Sequence, residues 1–337
     1  MKYKPKTKLI HYPWKNKQIT NYKNATLTLY KLRTHFINKH PAFTGGIYDE
    51  SGNYVGSAAS KLYFHDEPPK ICPPSIKPIK GKSLYLGVMN RSYGHFLLET
   101  LSRVWAVGDA EKWDNFVFHN YHPVDCEHIK IGLNCFGVSE DKIILIEETK
   151  KFEDLWVPNV QCELNVWMDS EQLKIFQRIY KCCKLRGAAW NSYIPASKGN
   201  LPIKDPLRLY LSRRKWSARK RISNEDEVEK VFESFGFIVI NPEKINFRAA
   251  VTIFRRTNVM AGIWGSAVHN SVFMKPGGGT KVISLGFPKA QSPNCNQVMC
   301  DSLVGAESCF IKFKGEESKM DIDYLRKELE SILPNQK

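Results

Sequence analysis

Four short apolar runs decide the fold of this chain: LRLYLSR at residues 207–213, FIVI at 237–240, NVMAGI at 258–263 and KVISL at 281–285. Such runs of strand-forming residues are typical of strands that are buried on both faces of a sheet. Apolar residues at helical spacing lie between them, at 223–235 and at 247–256. Ser223 is predicted to be the N-cap of the first helix, and Gly236 to end it.

This alternation of strands and helices predicts a parallel sheet that is covered by helices on both faces, which is a Rossmann-like domain. Ligands of such sheets bind beyond the carboxyl ends of the strands, where the strand order reverses. Two loops are therefore the candidate ligand site: the loop that follows Ser212 and the loop at residues 264–266.

The rest of the chain also predicts α/β structure. Strand candidates lie at 83–88, 115–119 and 142–147, and helix candidates lie at 95–107, 170–185 and 321–333. The first 80 residues favour irregular or antiparallel β structure. Proline, serine and glycine interrupt the helical pattern at 188–206, which we interpret as a domain boundary. The sequence thus predicts an N-terminal α/β domain at 1–195, a Rossmann-like domain at 206–315 and a C-terminal helix at 320–335.

The composition is that of a globular protein with a strong positive charge. A length of 337 residues suits about two domains, and an apolar content of 42% argues against wholesale disorder. Fifty Lys and Arg against thirty-four Asp and Glu give a net charge of +16. Such a surface attracts polyanions such as nucleic acid, anionic membranes and nucleotide phosphates. No zinc-finger or RNA-binding motif accompanies the charge, so no nucleic acid partner is expected. A solvated lysine-rich surface is the alternative explanation.

The nine cysteines show no CxxC spacing, so neither a disulfide framework nor a structural metal is indicated. The N-terminus has no apolar core of a signal peptide, and no run of 18 apolar residues occurs. We therefore expect a cytoplasmic protein, either free or peripheral to the inner face of a membrane.

The first constellation that could carry chemistry is NRSYGHFLLETLSR at residues 90–103. On a helix, His95, Glu99 and Arg103 share one face, and apolar residues such as Leu97 and Leu101 cover the opposite face. A histidine beside a carboxylate is what a general base for a hydroxyl group requires. The alternative interpretation is an ordinary amphipathic surface helix.

The second constellation is SRRKWSARKR at residues 212–221, with six cations in a loop that leaves the carboxyl end of a predicted strand. Arginines in this position suit bidentate binding of a diphosphate, and they would stabilise the charge that develops when it departs. A nucleic-acid-binding or solubility patch is the alternative.

The third constellation is GIWGSAVHN at residues 262–270. Small residues between a strand and a predicted helix allow a phosphate to approach backbone N–H groups at the helix N-terminus. The pattern is not GxGxxG, so a nicotinamide cofactor is disfavoured. Close helix–sheet packing is the alternative. The histidines at 119, 122 and 128 offer no i, i+4 pair on one helix, and no metal site is predicted there.

Three blocks in this order resemble glycosyltransferase family 61. They are Asn90 with GHFLLE at 94–99 and LSR at 101–103, then LSRR at 211–214 with RISNEDE at 221–227, and then GSAVHNSVFM at 265–274. Two positions depart from the family pattern. Trp264 stands where the family usually has His, and Ala250 stands where it often has Gln.

The resemblance implies a GT-B-like fold with two Rossmann-like domains that face a central cleft. It also implies an inverting transferase without cofactor or obligatory metal. A nucleotide-sugar would bind the 206–315 domain, and a saccharide or lipid-linked acceptor would bind the 1–195 domain. The expected member is a bacterial enzyme of capsule or lipopolysaccharide assembly.

On this interpretation, His95 or Glu99 takes the proton of the acceptor. Arg213 and Arg221, with amides near Gly265 and Ser266, would hold the diphosphate, and Arg103 would orient Glu99 or contact the acceptor. The other residues assigned to donor or substrate binding are Asn90, Trp264, His269 and Asn270. Two rivals remain open, a polyanion-binding or nucleic-acid-binding protein and a catalytically inactive relative that acts as a scaffold.

Overall fold

The structure is a computed structural model that describes residues 17–37, 40–56, 70–120, 126–186, 192, 206–215, 222–287, 290–313 and 319–333. It divides into an N-terminal unit, Tyr12–Ile175, and a C-terminal unit that includes Phe176–Lys337. The domain limits predicted from the sequence stay predictions. Among the described residues, no helix has the length and apolar character needed to cross a membrane.

The N-terminal unit is built on a six-stranded mixed sheet and a two-stranded ribbon. Its strands are β1 (Ile19–Ile37), β2 (His40–Tyr48), β3 (Ile79–Met89), β4 (Asn115–Asn120), β5 (Ile143–Ile146), β6 (Lys150–Pro158), β7 (Cys162–Glu163) and β8 (Trp167–Met168). Its helices are α1 (Tyr93–Leu98), a 3₁₀-helix at Thr100–Ala106, and α2 (Glu127–Asn134).

The strand order in the large sheet is β2-β1-β6-β3-β4-β5. Strands β6, β3, β4 and β5 are parallel, and β1 pairs antiparallel with both β2 and β6. Of the irregular or antiparallel β structure expected in the first 80 residues, the antiparallel form is confirmed for β1 and β2. Apolar side chains such as Leu27, Tyr85, Val117 and Phe152 form the core of this sheet.

The predicted continuous helix at 95–107 is wrong in its second half. The α-helix ends at Leu98, and the chain continues as the 3₁₀-helix. Thr100 explains part of the change, because its hydroxyl donates to the carbonyl of Val88 at 2.8 Å in the neighbouring strand. Side-chain hydrogen bonds of this kind compete with the regular helical pattern.

The C-terminal unit is built on five parallel strands with helices between them. The strands are β9 (Leu207–Leu211), β10 (Ile238–Ile240), β11 (Thr257–Ile263), β12 (Lys281–Gly286) and β13 (Glu307–Lys312). The helices are α3 (Gln172–Cys183), which contains the boundary between the units, and α4 (Glu225–Ser234), α5 (Phe247–Arg255), α6 (Cys295–Val304) and α7 (Ile322–Ile332).

The strand order β10-β9-β11-β12-β13 is that of a doubly wound sheet, which confirms the predicted α/β class. The order reverses at β9, because the chain passes first to β10 on one side and then to β11 on the other. The core contains Tyr210, Phe232, Ile283 and Leu285, and α7 adds Leu325, Leu329 and Ile332 to it.

Two local predictions in this unit are wrong. The N-cap of α4 is Asn224 rather than Ser223, and the Asn224 side chain is bound to both the carbonyl and the amide of Met320. The expected helix after residue 265 is a six-residue 3₁₀-helix, Val268–Phe273. Side chains take the carbonyls that an α-helix would use there, because Asn270 binds Ala267 and Gln297 binds Val268.

Candidate active site

The end of β3 leads directly into the first candidate group. Asn90 is buried, and its Oδ1 accepts the amide of Ser92 at 2.9 Å, which turns the chain into α1. The amide of Asn90 donates to the Thr100 hydroxyl at 3.3 Å. Asn90 is therefore positioned to shape the start of α1.

His95 and Glu99 form a hydrogen-bonded pair at the end of this turn, between Nδ1 of the imidazole and Oε2 of the carboxylate. The His95 side chain is 32% exposed and that of Glu99 is 13% exposed. Burial raises the pKa of the Cys162 thiol well above its usual range, and the nearby Glu99 adds to this shift. The carboxylate thus lies near the start of β7, while the imidazole remains accessible.

Three hydrogen bonds attach the 3₁₀-helix to the carboxyl end of β6. Arg103 Nε donates to the Pro158 carbonyl at 2.9 Å, and Trp105 Nε1 donates to Asn159 at 3.0 Å. The amide of Gln161 donates to the carbonyl of Ser102 at 3.0 Å. Since Thr100 binds β3, this segment spans the ends of β3 and β6, which are neighbouring parallel strands. The strand order reverses at this place, because β4 follows β3 on one side and β6 lies on the other. The pair His95–Glu99 therefore lies at the reversal of the strand order, where ligands bind in such sheets.

Arg103 is 4% exposed, so its main contacts are with the protein. Its guanidinium lies 5.5 Å from the centre of the Tyr85 ring. A Cβ on Gly87, whose φ is +98°, would lie 3.1 Å from Arg103 Nη1. Glycine at this position leaves the space that the buried cation occupies.

The buried histidine His119 completes this polar cluster. Its Nε2 donates to the carbonyl of Thr28 at 2.9 Å, so its Nδ1 accepts the Tyr85 hydroxyl at 2.8 Å. Burial lowers the pKa of His119 to about 3. Of the other two histidines of this stretch, His122 lies outside the described residues, and His128 in α2 packs against the rings of Tyr93 and Phe96.

The second candidate group lies at the carboxyl ends of β9 and β11. These strands are adjacent, with Leu211 opposite Gly262. Arg213 follows β9, and its Nη2 lies 2.7 Å from the position that a Cβ on Gly265 would take. Gly265 has φ of +147°, which side chains rarely allow. The two loops that the sequence selected therefore meet at one point of the sheet edge.

Backbone N–H groups are available beside this arginine. The amide of Trp264 donates to Leu285, and the amide of Val268 donates to Gly265. Within the described part of the chain, no hydrogen bond engages the amides of Gly265, Ser266 or Ala267. An anion beside Arg213 could accept from these amides.

The other predicted donor residues are placed less simply. Trp264 is half-buried and packs against the core of the unit, and Ala250 is buried in α5. Arg221 lies outside the described residues. His269 and Asn270 are buried in the 3₁₀-helix, where His269 Nδ1 contacts Gln297 Oε1 at 2.8 Å.

The model of the family described as Glycosyltransferase 61 matches residues 93–283, more than half of the chain. The chain belongs to glycosyltransferase family 61. No curated protein matches it. The matched stretch begins at the first residue of α1 and ends within β12, so it includes every candidate site residue of this glycosyltransferase except Asn90.

Sequence reasoning assigned no role to several polar residues that hold the candidate segments of this glycosyltransferase in place. Glu225 and Glu229 bind the loop that carries Arg213, Gln297 binds the His269 segment, and Asp301 accepts from Gln297. The spacing of the two glutamates on α4 was a visible signal. Gln297 and Asp301 gave no local signal, because α6 is far from His269 in the sequence.

Asp301 predicts a pH dependence of stability. Burial raises its pKa to about 7 from the ordinary value of 3.8, so the folded state binds an extra proton between these values. The stability that the protonated form contributes is complete below about pH 4 and is lost as the pH rises through about 7. Asp301→Asn should therefore gain stability relative to the wild type by up to about 1.4 kcal/mol per pH unit in this window.

Unfolding free energies of both proteins, measured across this range, test the prediction. The amide can keep the hydrogen bond from Gln297, and the Ser308 hydroxyl can reverse its role. Parallel pH curves for the wild type and the variant would contradict the assignment.

Proposed function

We propose that this chain is an inverting, metal-independent glycosyltransferase that uses a nucleotide-sugar. The observation that carries the proposal is the position of the two groups. The pair His95–Glu99 lies where the strand order of the N-terminal sheet reverses. The half-buried Arg213 lies against Gly265 where the strand order of the C-terminal sheet reverses. A GT-B arrangement of the two units is part of the proposal.

In the proposed reaction, His95 is the general base and Glu99 orients it. A neutral imidazole that donates through Nδ1 to Glu99 carries its lone pair on Nε2, which takes the proton of the acceptor hydroxyl. The acceptor oxygen bonds to the anomeric carbon while the bond to the diphosphate breaks. Because the acceptor attacks from the face opposite the leaving group, the configuration inverts. Burial of Arg103 and Asn90 suits positioning roles near this pair.

The diphosphate leaves with the bonding electrons, and Arg213 stabilises this charge together with the amides of residues 265–267. We assign Arg221 the same role from the sequence. His269, Asn270 and Trp264 would contact the rest of the donor. In this scheme, Arg213 and Arg221 supply the positive charge that a metal ion supplies in metal-dependent glycosyltransferases.

The acceptor class and the cellular place are proposals as well. A saccharide or lipid-linked acceptor of bacterial capsule or lipopolysaccharide synthesis would bind the N-terminal unit. The charge of +16 would favour contact with the anionic inner face of a membrane from the cytoplasm.

The test is a melting-temperature screen against nucleotide-sugars and nucleoside diphosphates, followed by transfer assays with and without a chelator. A ligand at 100 times its Kd adds about 2.7 kcal/mol of stability. We expect at least one nucleotide-sugar to raise the Tm, and turnover to survive the chelator. The anomeric proton coupling of the product reports inversion.

Two outcomes would reject the proposal. No response to any nucleotide, with steeply salt-dependent binding to DNA or RNA, would favour a polyanion-binding protein. Nucleotide-sugar binding without turnover on any acceptor or water would favour a scaffold.

A further inference from the structure

Two carboxylates of α4 hold the loop that carries Arg213. Glu225 Oε1 accepts the amide of Arg213 at 2.8 Å and the hydroxyl of Tyr210 at 3.2 Å. One turn later, Glu229 Oε1 accepts the Ser212 hydroxyl at 2.6 Å, and its Oε2 pairs with Arg214 Nη2 at 2.9 Å. Three consecutive loop residues are thus fixed by one face of a single helix.

The burial of these two carboxylates lowers the stability of the fold. Glu225 is 3% exposed, and Glu229 is 7% exposed. Within the described residues, Glu225 Oε2 is buried and has no hydrogen-bond partner. Burial raises the pKa of Glu225, and the charge of Glu229 adds to this shift. Buried like charges one turn apart destabilise a domain, so their presence beside a candidate site suggests a role there.

Glu225 binds the backbone amide of Arg213. The guanidinium of Arg213 lies against Gly265. Burial lowers the pKa of Arg213, and the charge of Glu225 opposes that shift. The carboxylate therefore acts on Arg213 in two separable ways: its oxygen fixes the loop, and its charge offsets part of the cation's charge.

We propose that Glu225 is the positioning residue of Arg213 and that its charge limits how tightly the site holds a diphosphate. The inference rests on the proposed function. A limit of this kind would speed release of the nucleoside diphosphate product.

Two substitutions at one position separate the two effects. In Glu225→Ala the loop loses its anchor together with the charge, so the Kd for inorganic pyrophosphate should lie about tenfold above that of Glu225→Gln, the value of a lost charge-assisted hydrogen bond. In Glu225→Gln the acceptor oxygen stays and the charge is lost, so the Kd should fall about tenfold. A residue needed only for packing would raise the Kd in both variants.

Glu233→Gln is the matched control, because it removes the same charge from an exposed position on α4 and should leave the Kd unchanged. Titration calorimetry with inorganic pyrophosphate measures the Kd, and circular dichroism verifies the fold. A lower Kd in Glu225→Gln than in the wild type, with a Kd in Glu225→Ala about tenfold above that of Glu225→Gln, supports the inference. An unchanged or higher Kd in Glu225→Gln, or equal Kd values in the two variants, overturns it while wild-type binding upholds the diphosphate site. Failure of the wild type to bind pyrophosphate would overturn both proposals.

Discussion

Replacing His95 with alanine is expected to lower the turnover number of sugar transfer by roughly 10²- to 10⁴-fold, the range of a general base. Without the imidazole, the acceptor hydroxyl must lose its proton to water. The KM for the donor should change little, because His95 belongs to the N-terminal unit and Arg213 to the C-terminal one. Steady-state kinetics with the substrates found in the screen measure both constants.

Further measurements distinguish the roles of His95 and Glu99. Added imidazole should restore part of the turnover of His95→Ala, since it replaces the missing base. Glu99→Gln should cost less than His95→Ala, and the double variant should resemble His95→Ala, because residues that act as a unit are not additive. If Glu99→Gln loses as much as His95→Ala, the carboxylate is the base. Glu111→Gln, whose side chain is 89% exposed, is the control.

The second large effect is expected from Gly265→Ala. A Cβ at this position would lie 2.7 Å from Arg213 Nη2, so the guanidinium must move. The φ of +147° adds backbone strain of about 1–3 kcal/mol. We expect the Kd for nucleoside diphosphates to rise at least about tenfold, which corresponds to about 1.4 kcal/mol.

Gly236→Ala is the control that separates the effect of backbone strain from the effect of moving the Arg213 guanidinium. Gly236 also has a positive φ, +76°, but a Cβ there would meet no atom within 4 Å. Both variants should lose stability, and only Gly265→Ala should lose affinity in calorimetric titrations. Equal affinities of the two variants would show that Arg213 does not hold the diphosphate.

The fold of the C-terminal unit could be predicted from the sequence because its strands are short, apolar and separated by clear helices. Four of its five strands differ by only a residue or two at each end from the predicted runs, whereas β13 and α6 were not predicted. The 3₁₀-helices could not be predicted. They arise from hydrogen bonds between distant residues, such as Arg103 with Pro158 and Gln297 with Val268.

The candidate site divides in the same way. The bond between His95 and Glu99 follows from local helical spacing, and the meeting of Arg213 with Gly265 follows from the geometry of parallel strands. The burial of Arg103 did not follow, because its charged head is held by Tyr85 and the end of β6. Glu225 was part of a recognised motif, but its bond to the amide of Arg213 becomes visible only in three dimensions.

The brevity of α1 has a consequence for how the proposed catalyst loses activity. A helix of six residues is not stable in water by itself. The position of His95 therefore depends on the hydrogen bonds that attach the following segment to β3 and β6. The imidazole therefore cannot keep its position once the sheet unfolds. Loss of turnover in denaturant would then have the same midpoint as unfolding of this sheet, and activity would report the cooperative unfolding of the N-terminal unit.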